Sequence, residues 1–148
     1  MSLAKPVAPR FYFDADVLGL AKLLARERAD FTYPGDPGRR IKKRLRPPCI
    51  ITTPATLDTV WIPAVAARGW VILTRDQAIQ NNRAEIDAVR THGAKMVNLA
   101  SAEASNTWAQ LEVFMARWRD IEPLVDESGP FIYIATRTGG LRSVDLSA

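Results

Sequence analysis

The chain holds one cysteine and one histidine, and each scarcity removes a class of chemistry. A lone Cys49 builds neither a disulfide framework nor a cysteine zinc site. A lone His92 cannot supply the paired ligands of a metalloprotease. It falls in Thr-His-Gly at an expected helix end, a surface position that favours a cation and leaves it outside any His-based triad. No apolar run approaches the ~18–20 residues of a membrane span. Residues 1–10, MSLAKPVAPR, lack the apolar centre of a signal peptide and show no period, so they read as a flexible lead. The expectation is a soluble, cytoplasmic protein with a single domain over residues 1–148.

What the chain does have is a real core and an uneven charge. Hydrophobic residues make up 47% of its 148 residues, enough for one packed domain. The net charge is +4. Arg39, Arg40, Lys42, Lys43, Arg44 and Arg46 lie together with no acid among them, which leaves the remainder of the chain net negative. A basic run of this kind is the footprint of a phosphate backbone; a solvated loop is the plain alternative.

Two short apolar runs end in carboxylates. Phe11-Tyr12-Phe13 leads into Asp14-Ala15-Asp16, and Val71-Ile72-Leu73 leads into Thr74-Arg75-Asp76. Unbroken apolar runs of this length fit strands buried on both faces, as in a parallel sheet. In open α/β sheets, ligands bind beyond the carboxyl ends of the strands. Helix capping alone explains either aspartate; the pair points to a shared acidic cleft.

Between and beyond these runs the pattern alternates. Residues 17–29 have helical spacing, with Leu20, Leu23, Leu24 and Val17 inward. Residues 32–48 are rich in Gly, Pro and Arg and read as a long loop. Ile50-Ile51 reads as a short strand, and Thr53-Pro54 as a helix start. Pro63 argues for two short helices in place of one. Residues 77–91 form a helix with Ile79, Ile86 and Val89 inward. Residues 95–99 form a strand, and 104–121 the clearest helix, with Trp108, Leu111, Trp118 and Ile121 on one face. FIYIATR, Gly139-Gly140 and LRSVDL signal a hairpin. The class is α/β, three layers around a mainly parallel sheet, with residues 100–148 as a C-terminal helix and hairpin. The apolar face of the long helix and the hairpin lead us to expect a homodimer.

Clustered carboxylates need a counter-charge, because two charges ~4 Å apart repel by roughly 4 kcal/mol at an effective dielectric near 20. Oxygen ligands without His or Cys suit Mg²⁺ or Mn²⁺. Asp58, just ahead of Trp61 and Ile62, is a third candidate carboxylate. Acidic cleft, hard metal and basic run together indicate phosphodiester hydrolysis.

FYFDADVL resembles the opening strand of PIN domains, and ILTRD resembles their later strand ending in aspartate. From Asp58 through Trp61-Ile62-Pro63 to Asp76 the chain is similar to a compact bacterial PIN-like subgroup, and the likeness covers residues 11–99. The resemblance implies a metal-dependent ribonuclease, often the VapC-type toxin of a toxin–antitoxin pair. It implies Asp14, Asp58 and Asp76 as catalytic metal ligands, with Mg²⁺ or Mn²⁺ as cofactor and RNA as substrate. Positions that often carry a further acid hold Ile79 and Gln80, so Asp16 or Glu85 would stand in. Arg75 and Arg83 would touch the phosphate, while Arg39, Arg40, Lys42 and Lys43 hold flanking RNA or dock an acidic antitoxin. A non-catalytic PIN-like module that binds RNA or protein is the alternative. A response-regulator receiver fits poorly, because Lys95 precedes its strand.

Overall fold

The computed structural model describes residues 3–75, 82–100 and 102–147. β1 (Lys5–Pro6) is followed by β2 (Phe11–Phe13), which passes through a 3-10 turn at Ala15–Val17 into α1 (Leu18–Ala25). β3 (Phe31–Thr32), β4 (Arg39–Ile41) and β5 (Arg44–Arg46) come next, then α2 (Asp58–Ala67) and β6 (Val71–Thr74). α3 (Arg83–His92), β7 (Lys95–Leu99), α4 (Thr107–Ile121), β8 (Phe131–Ala135) and β9 (Arg142–Ser143) complete the chain.

The main sheet has the order β3-β2-β6-β7-β8-β9. Every pairing in it is parallel except β8 with β9. Side chains alternate across a strand, so each apolar run serves two cores. Phe11, Phe13, Leu73 and Val97 face one side, where α1 and α4 pack with Phe31, Phe114 and Trp118. Tyr12, Ile72 and Met96 face the other, against Trp61, Val65 and Val89 of α2 and α3. Burial on both faces is why neither motif strand alternates with polar residues. Phe11 and Phe31 meet edge to face at 5.3 Å, and Trp118 lies 5.6 Å from Phe31. Among the described residues, no helix is long and apolar enough to cross a membrane.

The expected layers, the strand at 95–99 and the terminal hairpin are all present. β8 does more than close a hairpin: it runs parallel to β7 over five residue pairs, Lys95 with Phe131 through Leu99 with Ala135.

Several expectations are corrected. The flexible lead contains β1, which pairs in parallel with β5 through Lys5 and Arg44. The long loop at 32–48 carries β4 and β5, an antiparallel hairpin turning at Lys42-Lys43. Its foundation is ionic: Arg46 Nε donates to Asp36 Oδ2 at 2.7 Å, with side chains 2% and 0% exposed. The strand at Ile50-Ile51 is absent, and the Ile51 carbonyl instead accepts from Gly35 N. Thr53 Oγ1 caps only a turn, through Ala55 N. α2 is a single helix with Pro63 inside it. Proline removes one bond, to the carbonyl four residues back, and here that residue is exposed Thr59 in the first turn, where solvent replaces the donor. Leu23 and Trp108 point outward, 45% and 71% exposed, so neither belongs to the face assigned to it. The fully buried positions of α4 are Gln110, Val113, Phe114 and Ile121, with the expected Leu111 and Trp118 partly buried against the same core. Ile79 lies outside the described residues.

At the amino end of the sheet, Asp30 receives Arg10 and Arg28, each through two nitrogens within 3.2 Å. Burial pushes the Asp30 carboxyl up, but Arg28 and Arg10 together outweigh it and hold it below the usual carboxylate range. A depressed folded-state pKa contributes stability above the unfolded value near ~3.9, and that contribution is lost as pH falls through the folded value. Asp30→Asn should therefore lower the denaturation midpoint at pH 7 and cost progressively less below about pH 4. Urea titrations at the two pH values measure the difference; an equal loss at both would remove the ionic account.

Candidate functional site

β2 and β6 are adjacent and in register, Phe13 opposite Leu73. The residues just beyond are therefore neighbours, and Asp14 N donates to the Leu73 carbonyl at 2.9 Å. Asp14 starts the 3-10 turn, its Oδ1 accepting from Ala15 N at 2.6 Å. Its Oδ2 lies 3.2 Å from the Thr74 hydroxyl. Asp16 comes back onto the same hydroxyl, Oδ2 at 3.0 Å, and also accepts from Arg75 N at 3.1 Å. A hydroxyl has one proton to donate, so Thr74 serves one carboxylate at a time. The two carboxylates thus converge on one hydroxyl just beyond the paired strands.

The carboxyl edge of the parallel sheet is where this happens. Thr74 is buried, and opposite it on β7 stands Asn98, also buried. Neither was among the expected site residues. Their signal was present in the sequence: each is a polar residue directly after a run of apolar strand residues.

Asp58 is the first residue of α2 and lies on the Tyr12 side of the sheet. Its Oδ1 accepts from the Trp61 indole nitrogen at 2.8 Å, and Trp61 stacks on Tyr12 at 5.1 Å. Burial, and after it the charges of Asp14, Cys49 and Asp58, push the Tyr12 hydroxyl far above its ordinary pKa. That phenol stays protonated, and Asp14 and Asp58 both act on it. Among the described residues, no three His, Cys, Asp or Glu side chains form a group able to hold a metal ion. Asp76 lies outside the described residues.

Glu85 occupies the first turn of α3, where Asn82 caps the helix. Glu85 N donates to Asn82 Oδ1, and Asn82 Nδ2 donates to Glu85 Oε2, a reciprocal cap. Arg83 opens the same helix and is exposed. Arg75 is half-buried, and its Nε is shielded, with no hydrogen-bond partner among the described residues.

The basic run is placed elsewhere. Arg39, Arg40, Lys42, Lys43 and Arg44 are exposed on β4, β5 and their turn. Arg46 is not available to a ligand, since Asp36 holds it inside the protein. Its Nη1 also caps the end of α1 through the Ala25 and Arg28 carbonyls, at 2.9 and 3.1 Å. α1 runs back along the sheet, so this end is remote from Asp14.

An α/β domain with a parallel sheet and paired aspartates at its carboxyl edge is the class that fold and site define. A family model described as a PIN-like domain matches residues 9–101, and the chain belongs to that family. The match runs from the residue before Arg10 to the end of β7, and so includes Asp14, Asp16, Asp58, Asp76 and the basic hairpin. No curated protein and no solved structure matches the chain. The family generally contains nucleases.

Proposed function

We propose that the protein is a metal-dependent RNA endonuclease, and that it acts as the toxin of a toxin–antitoxin pair in the cytoplasm. One observation carries the reading: Asp14 and Asp16 converge on the Thr74 hydroxyl at the edge where parallel-sheet proteins bind ligands. The donor set is carboxylate and hydroxyl oxygen, which fits Mg²⁺ or Mn²⁺ and suits neither zinc nor copper. Asp14, Asp58 and Asp76 are the proposed ligands, with Asp16 and Glu85 supporting them. A hard divalent ion there supplies an activated water and neutralises charge on phosphate oxygens.

The chain's own residues have separable tasks. Asp14 and Asp16 create the negative potential that draws a cation to the edge. Thr74 holds them together and in place. Arg75 and Arg83 are the proposed phosphate contacts. Tyr12, kept neutral, adds no charge to the acidic edge.

The test is cleavage of single-stranded RNA by purified protein with Mg²⁺ and with chelator. Metal-dependent cleavage lost on substitution of the aspartates supports the reading. RNA binding without cleavage under any metal would assign the chain to the non-catalytic PIN-like modules, an outcome that Ile79 and Gln80, at positions where the family often has a further acid, would explain.

A second copy of the chain is the proposed partner of α4. Trp108 and Met115 are exposed, each about one turn from partly buried Leu111 on either side. Light scattering should give twice the chain mass at micromolar concentration, and Trp108→Ser should return it to the monomer. A monomeric wild-type protein would end this proposal.

A further inference from the structure

The acidic edge and the basic hairpin lie at opposite ends of α1; two adjoining hollows lead from the first along α1, and a separate cleft lies against the second, the three together forming an interrupted groove. Beside the acidic edge it begins as a cleft of about 450 Å³ bounded by Leu18, Lys22, Tyr33 and the Thr52 to Pro54 stretch. Leu18 follows the turn that Asp14 starts, and Pro54 leads into Asp58, so this mouth opens between the elements that carry the two carboxylates. Sharing Lys22, Tyr33 and Pro37, a second hollow of about 80 Å³ continues past Arg26 to Arg39. Beyond the end of α1 lies a third cleft of about 680 Å³ between Glu27–Asp30 and the hairpin residues Ile41 to Arg44.

The charges along this path are cationic and exposed. Lys22 and Arg26 are four residues apart on one face of α1, about 6 Å along the axis. No ion pair or hydrogen bond engages either side chain among the described residues. Arg39 follows, then Arg40, Lys42, Lys43 and Arg44. Of the acids near the path, Asp36 is engaged by Arg46, and Asp30 by Arg10 and Arg28; Glu27, exposed at the third cleft, is outnumbered there by Lys42, Lys43 and Arg44. Tyr33 presents a half-buried ring within the groove, between Lys22 and Arg39. Cations at intervals with an aromatic face among them match a single-stranded nucleic acid, whose phosphates repeat and whose bases stack. A folded acidic partner would not need the narrow hollow or the ring.

We infer that the strand flanking the cleavage point leaves the acidic edge through this groove, with phosphates on Lys22, Arg26 and Arg39, one base on Tyr33, and its far end on the β4–β5 hairpin. The inference rests on the reading of the acidic edge as the place of cleavage. It makes α1 the element that measures how much RNA on one side of the scissile bond the protein holds.

Binding of a fluorescein-labelled single-stranded oligoribonucleotide, followed by anisotropy in chelator across a salt series, tests it without any contribution from cleavage. Each phosphate contact on a single strand adds about −0.7 to the log–log salt slope. Lys22→Ala/Arg26→Ala should flatten the slope by about 1.4, and Tyr33→Leu should weaken binding on the order of ten-fold with the slope retained. Arg90→Ala, on α3 across the sheet, should leave the slope as it is. An unchanged slope in the α1 double variant overturns the groove even if hairpin variants alter binding. Failure of the wild-type protein to bind RNA, or its preference for an acidic peptide, overturns it as well. The nuclease reading fails separately: wild-type protein that never cleaves but shows the expected slope changes keeps the groove and loses the catalysis.

Discussion

Asp14→Asn should lower metal-dependent RNA cleavage on the order of 10³-fold and leave the fold and RNA affinity in chelator nearly unchanged. The size follows from the proposed role. A metal stabilises the transition state by several kcal/mol, and ~1.4 kcal/mol corresponds to ten-fold in rate. The selectivity follows from the geometry. Asn retains an oxygen for the Ala15 N bond and a group of the same size beside Thr74. What it loses is the charge. Asp76→Asn should act the same way if that residue completes the site, whereas Thr74→Val should cut activity by displacing Asp14 and Asp16 without removing either. Full activity in Asp14→Asn would move the catalytic centre away from this edge, and circular dichroism must show native signal for the comparison to count.

Arg46→Met should destabilise the protein by about 3–5 kcal/mol, the range for leaving one member of a buried ion pair without its partner. For a domain of this size that is roughly a 10 °C fall in melting temperature. Asp36 would keep its Thr32 and Gly38 donors but lose the guanidinium, and two carbonyls at the end of α1 would lose their cap. The double variant Arg46→Met/Asp36→Leu should recover much of the loss, because an apolar pair of similar volume often replaces a buried ion pair at little cost. A change of less than 1 kcal/mol in Arg46→Met would mean that water reaches this pair. Arg39→Met, across the hairpin and exposed, should change stability by no more than ~0.5 kcal/mol while reducing RNA binding.

Two arginines only seven positions apart thus differ in kind, and nothing local distinguishes them. Both lie in the same basic run with prolines and glycines around them. The acid that claims Arg46 is ten residues earlier, on the other side of a turn. Leu23 and Trp108 teach the same lesson from the apolar side. Helical spacing identifies a face, but only part of that face on α1 and α4 is covered: Leu20 is buried while Leu23 is not, and Phe114 while Trp108 is not. The face that the spacing groups together is wider than the face the sheet covers.

The residues by themselves determined the α/β class, the two motif strands, the strand at 95–99, the helix ending at His92 with Gly93 beyond it, and the terminal hairpin. These depend on runs of consecutive side chains, on turn chemistry and on strand ends, all of which act within a few residues. They also determined that carboxylates follow two apolar strands. Only the tertiary structure decided that Asp14 and Asp16 share Thr74, sixty and fifty-eight residues away, because that meeting requires β2 and β6 to be adjacent and in one register. It likewise decided that the basic hairpin stands at the far end of α1 from the acids. The position of a charge relative to a site is set by the layers between them, and a burial penalty is met by whichever partner those layers bring within reach.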